Sequence, residues 1–330
     1  MSGDLPPEIL ADILHRLPVK SLVKCTIICK DWNSFITDRT FIFDHLNQTI
    51  QASSGNDWLF LQLYHRMPTW YEEFYSLYSH NQQIDHFSVK RFPLSSLLHP
   101  YDHSTVVGTC DGLVCITDSQ IYHMATLLIW NPSIRKDMII SEPILTSGTD
   151  NAQHEGYQPI KPLYGFGFDS KNKGYKVIRL AALFGKKTCD SLTKENIPQV
   201  EVFSLASRSW RSIPFTASPF LLPDLFWNIP QVFLNGVVHW VVSWRCDDHI
   251  LNFILTFDVV EETFGELTLP QLLRESTTEL SILQGGASLC VLHAFYVEDD
   301  HFFSIWVMTE YGVVGHGMRC TVGIHIFMRE

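Results

Sequence analysis

Cysteine and histidine are the residue types in this chain that are most able to bind a metal ion. The 330 residues include eight cysteines and 15 histidines. Cys25 and Cys29 lie four positions apart and Cys110 and Cys115 lie five apart, but neither pair is followed by a second pair at zinc-ligand spacing. We therefore expect no metal site, and we expect reduced, buried cysteines of the kind found in cytosolic proteins.

Motifs that would indicate a catalytic or cofactor site are incomplete. Gly165-Phe166-Gly167 resembles the start of a dinucleotide-binding loop, but the third glycine and a following helix are missing. The chain contains neither an H-E-x-x-H zinc motif nor a G-x-S-x-G nucleophile turn. Glu72-Glu73 and Asp299-Asp300-His301 are most simply charges on loops or strand edges. The sequence therefore predicts a protein with no cofactor and no catalytic site of its own.

The charge of the chain is acidic and unevenly distributed. The 24 basic and 35 acidic residues give a net charge of −11. Residues 1–46 hold five basic and six acidic side chains, so the remainder carries 19 basic and 29 acidic ones, a net of −10. A nucleic-acid binder needs the opposite field. An acidic distal region favours a basic protein partner, although solubility explains the charge equally well. No run of 18 apolar residues occurs, so we expect no membrane span.

Short amphipathic helices are predicted within residues 5–46. Pro7 suits the first helical position, and Pro18 ends this helix and begins the next. Asp31 is the expected N-cap of a third helix, and a last helix begins near Arg39. The apolar residues recur at helical spacing: Ile9, Leu10, Ile13, Leu14 and Leu17, then Leu22, Val23, Ile27 and Ile28, then Trp32, Phe35 and Ile36.

Three or four short helices present more apolar surface than so small a unit buries by itself. The pattern alone leaves two alternatives open. Either the helices form an ordinary bundle that packs on the following domain, or they dock on a separate protein.

The residues of this segment are similar to those of a known protein module. The run L-P-x-E-I-L-x-x-I-L-x-R-L-P-x-K-S-L at Leu5–Leu22, the C-K-x-W at Cys29–Trp32, and then Phe41 and His45-Leu46 resemble the F-box of plant F-box proteins. The resemblance implies docking on a Skp-type adaptor, which bridges to a cullin and its RING partner. It places a set of residues at or just behind the adaptor interface: Leu5, Pro6, Ile9, Leu10, Ile13, Leu17, Pro18 and Leu22. Trp32 is expected to be part core and part contact.

The region after the helices has the pattern of an all-β domain. Residues 47–57 are polar and are interpreted as a linker. Beyond them, short apolar runs alternate with turn signals, of which Asp111-Gly112 and Asn235-Gly236 are the strongest for hairpins. Such spacing is typical of a sandwich, a barrel or a propeller.

A weak internal repeat favours the propeller. Each copy is a buried strand, a polar turn and a second strand, and the later copies lie about 50 residues apart, the length of a kelch-like blade. The copies begin at Leu127–Asn131, Val200–Ser204, Ile254–Asp258 and Ser304–Met308.

The motifs of this region resemble the plant F-box-associated (type 1) interaction domain, which implies a kelch-like β-propeller at residues 58–314. They are G-L-V-C at Gly112–Cys115, I-W-N-P-S at Ile129–Ser133, G-F-G-F-D at Gly165–Asp169, Y-K-V at Tyr175–Val177, V-E-V-F-S-L at Val200–Leu205, G-V-V-H-W at Gly236–Trp240, F-D at Phe257–Asp258 and I-W-V-M at Ile305–Met308. The most similar subgroup is that of the S-locus F-box proteins of pollen.

Residues 315–330 depart from the pattern of this family, which continues with a tryptophan-containing strand and further blade material. We interpret them as a divergent tail left by a truncation or frame shift. A propeller removes its strand edges by closing its ring, so we expect an incomplete or distorted ring and poor solubility of the isolated chain.

Together, the two resemblances imply the substrate-recognition subunit of an SCF-type E3 ubiquitin ligase, which makes no covalent chemistry itself. The F-box binds the adaptor, and the β domain holds a target for ubiquitin-dependent degradation, through loops such as Ser147–Lys161 and Lys186–Asn196. The S-locus subgroup implies self-incompatibility and a basic secreted ribonuclease as the target. The expected location is the cytoplasm, with the nucleus as a second compartment. The alternatives are a stand-alone propeller for protein binding and a truncated, non-functional relative.

Overall fold

The structure of the chain is a computed structural model. It describes residues 6–52, 58–66, 71–79, 89–90, 104–118, 126–141, 158–159, 162–181, 183–184, 199–216, 231–246, 249–276, 280–285, 288–297, 300–308, 311 and 319–322.

Four helices begin the described chain, as the sequence predicts. They are α1 (Pro7–His15), α2 (Val19–Cys25), α3 (Lys30–Ile36) and α4 (Arg39–Ala52). Pro6 and Pro18 occupy the N-cap positions of α1 and α2 with extended backbone dihedrals, which fits a helix start at the next residue. Helix α4 is longer than expected, because residues 47–52 of the predicted linker are helical. The remainder of that linker, residues 53–57, lies outside the described residues.

The start of α3 differs from the prediction. Asp31 lies in the first turn, and the N-cap is Cys29, whose Sγ accepts a hydrogen bond from the Trp32 backbone N–H at 3.4 Å. The helix therefore begins at Lys30, two residues before the position that an Asp31 cap would allow. Asp31 still contributes through its negative charge near the helix N-terminus.

The rest of the described chain is β-structure apart from one short helix, α5 (Gln271–Arg274), which confirms the all-β prediction. The first sheet contains β1 (Trp58–Arg66), β2 (Tyr71–Ser79) and β3 (Val89–Lys90), and the second contains β4 (Ser104–Cys110), β5 (Leu113–Asp118), β6 (Thr126–Asn131) and β7 (Lys136–Ser141). The third contains β9 (Leu163–Asp169), β10 (Gly174–Ala181), β12 (Gln199–Ser204) and β13 (Ser209–Ile213), with β8 (Gln158–Pro159) and β11 (Leu183–Phe184) forming a separate pair.

Two further sheets follow. The fourth contains β14 (Val232–Leu234), β15 (Val237–Cys246), β16 (His249–Asp258) and β17 (Thr263–Thr268), and the fifth contains β18 (Leu280–Gly285), β19 (Ser288–Val297), β20 (Asp300–Val307) and β21 (Arg319–Val322). Each sheet from the second to the fifth joins four strands in chain order, which is the strand order of a propeller blade. The four predicted repeat copies are the third strands of these sheets: β6, β12, β16 and β20.

The predicted divergent tail is not separate from the β domain. Within residues 315–330 the structure describes β21, which pairs antiparallel with β20 through Val322 opposite Ile305 and Arg319 opposite Val307. Strand pairing uses backbone groups, so β21 does not need the side-chain pattern of the family to form a fourth strand. The predictions of an incomplete ring and of poor solubility stay predictions.

Tight turns connect the strands of each sheet in a repeated geometry. Asp111-Gly112 and Asn235-Gly236 both have positive φ at the two central residues, which confirms the type I′ hairpins. The four-residue turns after β6, β9 and β16 share a pattern of side-chain hydrogen bonds. The residue that ends each strand accepts hydrogen bonds from the second and third backbone N–H groups beyond it. These residues are Asn131, Asp169 and Asp258.

The fourth sheet is buried on both faces. Val238, Trp240 and Val242 pack with residues of the third sheet, whereas Val241 and Ile254 pack with residues of the fifth. Alternate side chains of a strand point to opposite faces, so both sets must be apolar here. This is why the run V-V-H-W-V-V lacks the alternation of a half-exposed strand.

The glycines of the G-F-G motif allow β9 to approach this sheet. A Cβ atom at Gly165 would lie 2.5 Å from the Trp240 ring, and one at Gly167 would lie 2.6 Å from Phe233. The indole Nε1–H of Trp240 then donates to the Tyr164 carbonyl at 2.7 Å. The motif is therefore part of strand β9, and packing against the fourth sheet explains its glycines.

Candidate functional site

Helix α1 has a buried face and an exposed apolar face. Leu14 is completely buried, and Leu10 and Leu17 pack against the same core. Ile9 and Ile13, one helical turn apart, keep 48% and 43% of their surface exposed. A helix advances by about 100° per residue, so these two isoleucines share one side, away from Leu14.

The small core of the helical module is formed by one side chain from each helix. Leu14, Leu22, Ile36 and Phe41 are all less than one-tenth exposed. The Phe41 ring lies 4.4 Å from the ring of His15 between centroids. This core is complete without the exposed isoleucines of α1.

A hydrogen bond joins α4 to the α1–α2 connection. His45 is buried, and its Nε2–H donates to the Leu17 carbonyl oxygen at 2.9 Å. The carbonyl of Leu17 follows the end of α1, where carbonyl groups lack helical partners. This contact fixes the start of α2 relative to α4 and gives His45 of the F-box motif a structural role in this chain.

Further exposed apolar side chains lie outside the predicted interface. Ile27 is 85% exposed and Ile28 is 61% exposed in the turn after α2. Val23, Phe35 and Ile42 are also exposed. We call the whole group the exposed apolar set: Ile9, Ile13, Val23, Ile27, Ile28, Phe35 and Ile42. Sequence reasoning found apolar stripes on these helices, but it could not tell which members fill the core.

The predicted interface residues divide by burial. Those that are exposed are Pro6, Ile9, Ile13 and Pro18; those partly or fully buried in the module core are Leu10, Leu17, Leu22 and Trp32. Leu5 lies outside the described residues. The exposed residues are available to a partner. The buried residues pack the helices together and so position the exposed ones. Their role as adaptor contacts stays a prediction.

The charges on the helices support their ends. Arg16 Nη2 lies 2.9 Å from Asp12 Oδ2, one turn earlier on α1. Asp38 precedes α4, and its carboxylate accepts hydrogen bonds from the backbone N–H groups of Phe41 and Thr40, which lower the pKa of Asp38 below its usual value. These interactions stabilise the helices, but they do not cover the side chains of the exposed apolar set.

The cysteines of the described chain do not share one environment. Cys110, Cys115 and Cys290 are buried, and burial raises the pKa of the Cys115 thiol. The expectation of buried cysteines is wrong for Cys29, which is exposed as the cap of α3. Among the residues that the structure describes, no group of three or more metal-binding side chains converges, and no helix is both long and apolar enough to cross a membrane.

Comparison with known families identifies both parts of the chain. Residues 67–315 match the F-box associated beta propeller domain. The chain belongs to this family. Residues 2–49 match the F-box-like family, so the helical module is an F-box. The propeller match ends at residue 315, where the predicted divergent tail begins.

Plant F-box proteins are similar to the chain over most of its length. F-box protein CPR1 of Arabidopsis thaliana is 27% identical over 94% of this chain and 70% of its own. An F-box/kelch-repeat protein of the same plant is 26% identical, covering 94% of this chain and 77% of its own. Another F-box protein of Arabidopsis thaliana is 28% identical, and the match covers 93% of this chain and 74% of the relative.

Solved structures are less similar. A β-fructofuranosidase of Bombyx mori covers 63% of this chain and 46% of its own, with a TM-score of 0.36 and 6% identity. Likeness at this level supports no inference about fold or function.

Proposed function

We propose that this chain is the substrate-recognition subunit of an SCF-type E3 ubiquitin ligase. The F-box docks on a Skp-type adaptor, and through it on cullin and RING subunits. The F-box-associated domain binds a target protein. The subunit acts by holding the target near the ubiquitin-loaded enzyme, which raises the effective concentration of target lysines without catalytic groups of its own.

The observation that carries this proposal is the exposed apolar set on a module with a complete core. Seven large apolar side chains are exposed within residues 9–42, although Leu14, Leu22, Ile36 and Phe41 already fill the interior. Seven exposed large apolar side chains on so short a module favour a role in protein interaction. Burying a half-exposed isoleucine contributes roughly 1 kcal/mol, so several together supply the affinity of a stable complex.

The double variant Ile9→Asp/Ile13→Asp tests the proposal. Both side chains are exposed, so the helices should remain folded while adaptor binding falls by at least about a hundredfold. Leu272→Asp on α5 is a matched control, because Leu272 is an exposed apolar residue of the β domain. Co-purification with a Skp-type adaptor should be lost only in the F-box variant. Full adaptor binding by the double variant would contradict the proposal.

The target is proposed to be a basic protein. The chain outside residues 1–46 carries a net charge of −10, which attracts positively charged partners. We extend this to the S-locus subgroup, in which the target is a basic secreted ribonuclease and the process is self-incompatibility. Affinity purification from native tissue with the proteasome blocked tests it: recovery of only neutral or acidic proteins would contradict a basic target.

We propose that the complex acts in the cytoplasm, with the nucleus as a second site. A fluorescent fusion of the full chain tests the location. Signal confined to the secretory pathway would contradict it.

A further inference from the structure

Gln231 joins the first strands of two sheets from the start of a third. It directly precedes β14, and its backbone N–H donates to the Val107 carbonyl of β4 at 2.9 Å. Its side-chain Nε2–H donates to the Phe166 carbonyl of β9 at 3.0 Å. Gln231 is buried, and a Cβ atom at Gly108 of β4 would lie 1.8 Å from its Nε2 atom. The absence of a side chain at Gly108 therefore leaves room for the amide between β4 and β9.

The Gln231 amide can take only one orientation in this position. Phe166 offers a carbonyl oxygen, so the NH2 group must face it, and the Oε1 atom must point elsewhere. This Oε1 atom is buried and has no hydrogen-bond partner among the residues that the structure describes. Because an amide oxygen can only accept, the site requires a donor.

Tyr164 supplies a second buried oxygen on β9. Gly165 and Gly167 face the fourth sheet, so Tyr164, which alternates with them, projects from the other face of β9. Strand β4 contacts β9, and the position of Gly108 on β4 faces the Gln231 amide. Tyr164 is 6% exposed, and its hydroxyl also has no hydrogen-bond partner within the described part of the chain.

The face of the third sheet that carries Tyr164 is polar but electrically balanced. Tyr164 is opposite Arg179 in the β9–β10 register, and Arg179 is opposite Glu201 in the β10–β12 register. Directly opposed residues share one face of a sheet. Arg179 Nη1 lies 2.6 Å from Glu201 Oε2, so the two buried charges compensate each other. A small neutral ligand that both donates and accepts hydrogen bonds therefore suits this face better than an ion.

We propose that one buried water molecule binds between β4 and β9 and bridges Gln231 Oε1 and Tyr164 Oη. The water donates to the amide oxygen and forms a second hydrogen bond with the hydroxyl, so both groups are satisfied. Buried polar groups in native proteins are nearly always hydrogen-bonded, and ordered water is the usual partner where no protein group reaches. Together with Gln231, this water links the first strands of three sheets. The site lies in the β domain and does not depend on adaptor binding.

Tyr164→Phe tests the site by the sign of its effect on stability. If a water binds the hydroxyl, its removal breaks a hydrogen bond, and the Tm of the full chain should fall by about 2–4 °C. If the hydroxyl is unpaired, its removal eliminates a buried polar group at no cost, and the Tm rises. A raised or unchanged Tm overturns the proposal.

A double-mutant cycle with Gln231→Met tests whether the two groups share one water. Loss of either group releases the water, so the double variant should be less destabilised than the sum of the single variants predicts. Additive losses overturn the shared site. Tyr164→Phe with Thr105→Val is the matched control. Thr105 Oγ1 is also buried and unpaired among the described residues, but three residues separate Thr105 from Gly108, so it lies on the other face of β4. The effects of this second pair should add.

A crystal structure of the full chain gives the direct test. We expect one ordered water within hydrogen-bonding distance of both Gln231 Oε1 and Tyr164 Oη, and its loss in the Tyr164→Phe variant. A direct hydrogen bond between the two groups, or a separate water on each, overturns the proposal. Co-purification with the adaptor should be the same for all these variants, so either result leaves the proposed function to its own test.

Discussion

The side-chain ammonium of Lys176 lies 2.6 Å from the Oδ2 atom of Asp169, and both side chains are almost completely buried. The same Nζ also lies 2.7 Å from Glu262 Oε1 and donates to the Val259 carbonyl at 2.7 Å. Arg211 forms a further ion pair with Glu262. Lys176 and Asp169 belong to the third sheet, and Val259 and Glu262 lie in the turn after β16 of the fourth sheet. One buried lysine therefore joins two blades.

Replacing Lys176 with methionine should destabilise the β domain strongly. The change leaves the Asp169 carboxylate buried without its cation and frees the Val259 carbonyl, at a cost of about 3 kcal/mol. Thermal unfolding of the full chain measures this as a lower Tm. Lys171→Met, in the exposed turn beside Asp169, is the control and should leave the Tm nearly unchanged. Equal Tm values for the two variants would contradict a role of Lys176 in joining the blades.

Stability should depend on pH near neutrality because of His239. This side chain is buried, donates from Nδ1 to the Val232 carbonyl at 3.2 Å, and accepts at Nε2 from the Tyr311 hydroxyl at 2.6 Å. Burial lowers the pKa of His239 to about 4, from 6.5. The unfolded chain binds the proton first, so the stabilisation is complete above pH 6.5 and is lost as the pH falls toward 4.

The expected loss from His239 between pH 7 and pH 5 is about 2 kcal/mol. His239→Gln keeps polar groups at the site but removes the titration, so its stability should change less over this range. Unfolding curves at both pH values measure the difference. Burial also lowers the pKa of His293, so His293 should contribute to the pH dependence that remains in the variant. Parallel changes in wild type and variant would exclude His239 as the cause.

The strand-ending residue Asp258 should stabilise its turn by hydrogen bonding rather than by charge. Its Oδ1 atom accepts from the backbone N–H groups of Val260 at 2.9 Å and Glu261 at 2.8 Å. Asp258→Ala should therefore cost about 1 kcal/mol, and Asp258→Asn should cost less, because the amide oxygen is still an acceptor. Denaturant unfolding compares the two. An equal loss in both variants would show that charge is what matters.

Different residues of the helical module should determine its stability and its adaptor binding. Leu14→Ala leaves a cavity in the core and should cost about 2–5 kcal/mol, with reduced helix content. Ile9→Ala removes an exposed side chain and should change stability by less than about 0.5 kcal/mol while weakening adaptor binding. Circular dichroism and adaptor affinity, measured on both variants, test this. Loss of helix content in the Ile9 variant would place that residue in the core instead.

Sequence patterns predicted much of this architecture. The four helices, the hairpins at Asp111-Gly112 and Asn235-Gly236 and the third strand of each four-stranded sheet are all local features. Each depends on a period of apolar residues or on the backbone freedom of particular turn residues. The sequence pattern does not indicate strands β4 and β18, because β4 carries Gly108 and two threonines and β18 carries Ser281, Gln284 and Gly285.

The sequence by itself determined the family, the order of the two parts and the absence of a recognisable catalytic motif, because these depend on residue types and spacing along the chain. Only the tertiary structure decided which apolar residues are free. Leu14 and Ile13 are neighbours with similar side chains, yet one fills the core and the other is exposed. It also revealed that Lys176 faces Asp169 and Glu262 across two sheets. Such roles depend on which elements pack together, and neighbours that are distant in sequence leave no periodic signal.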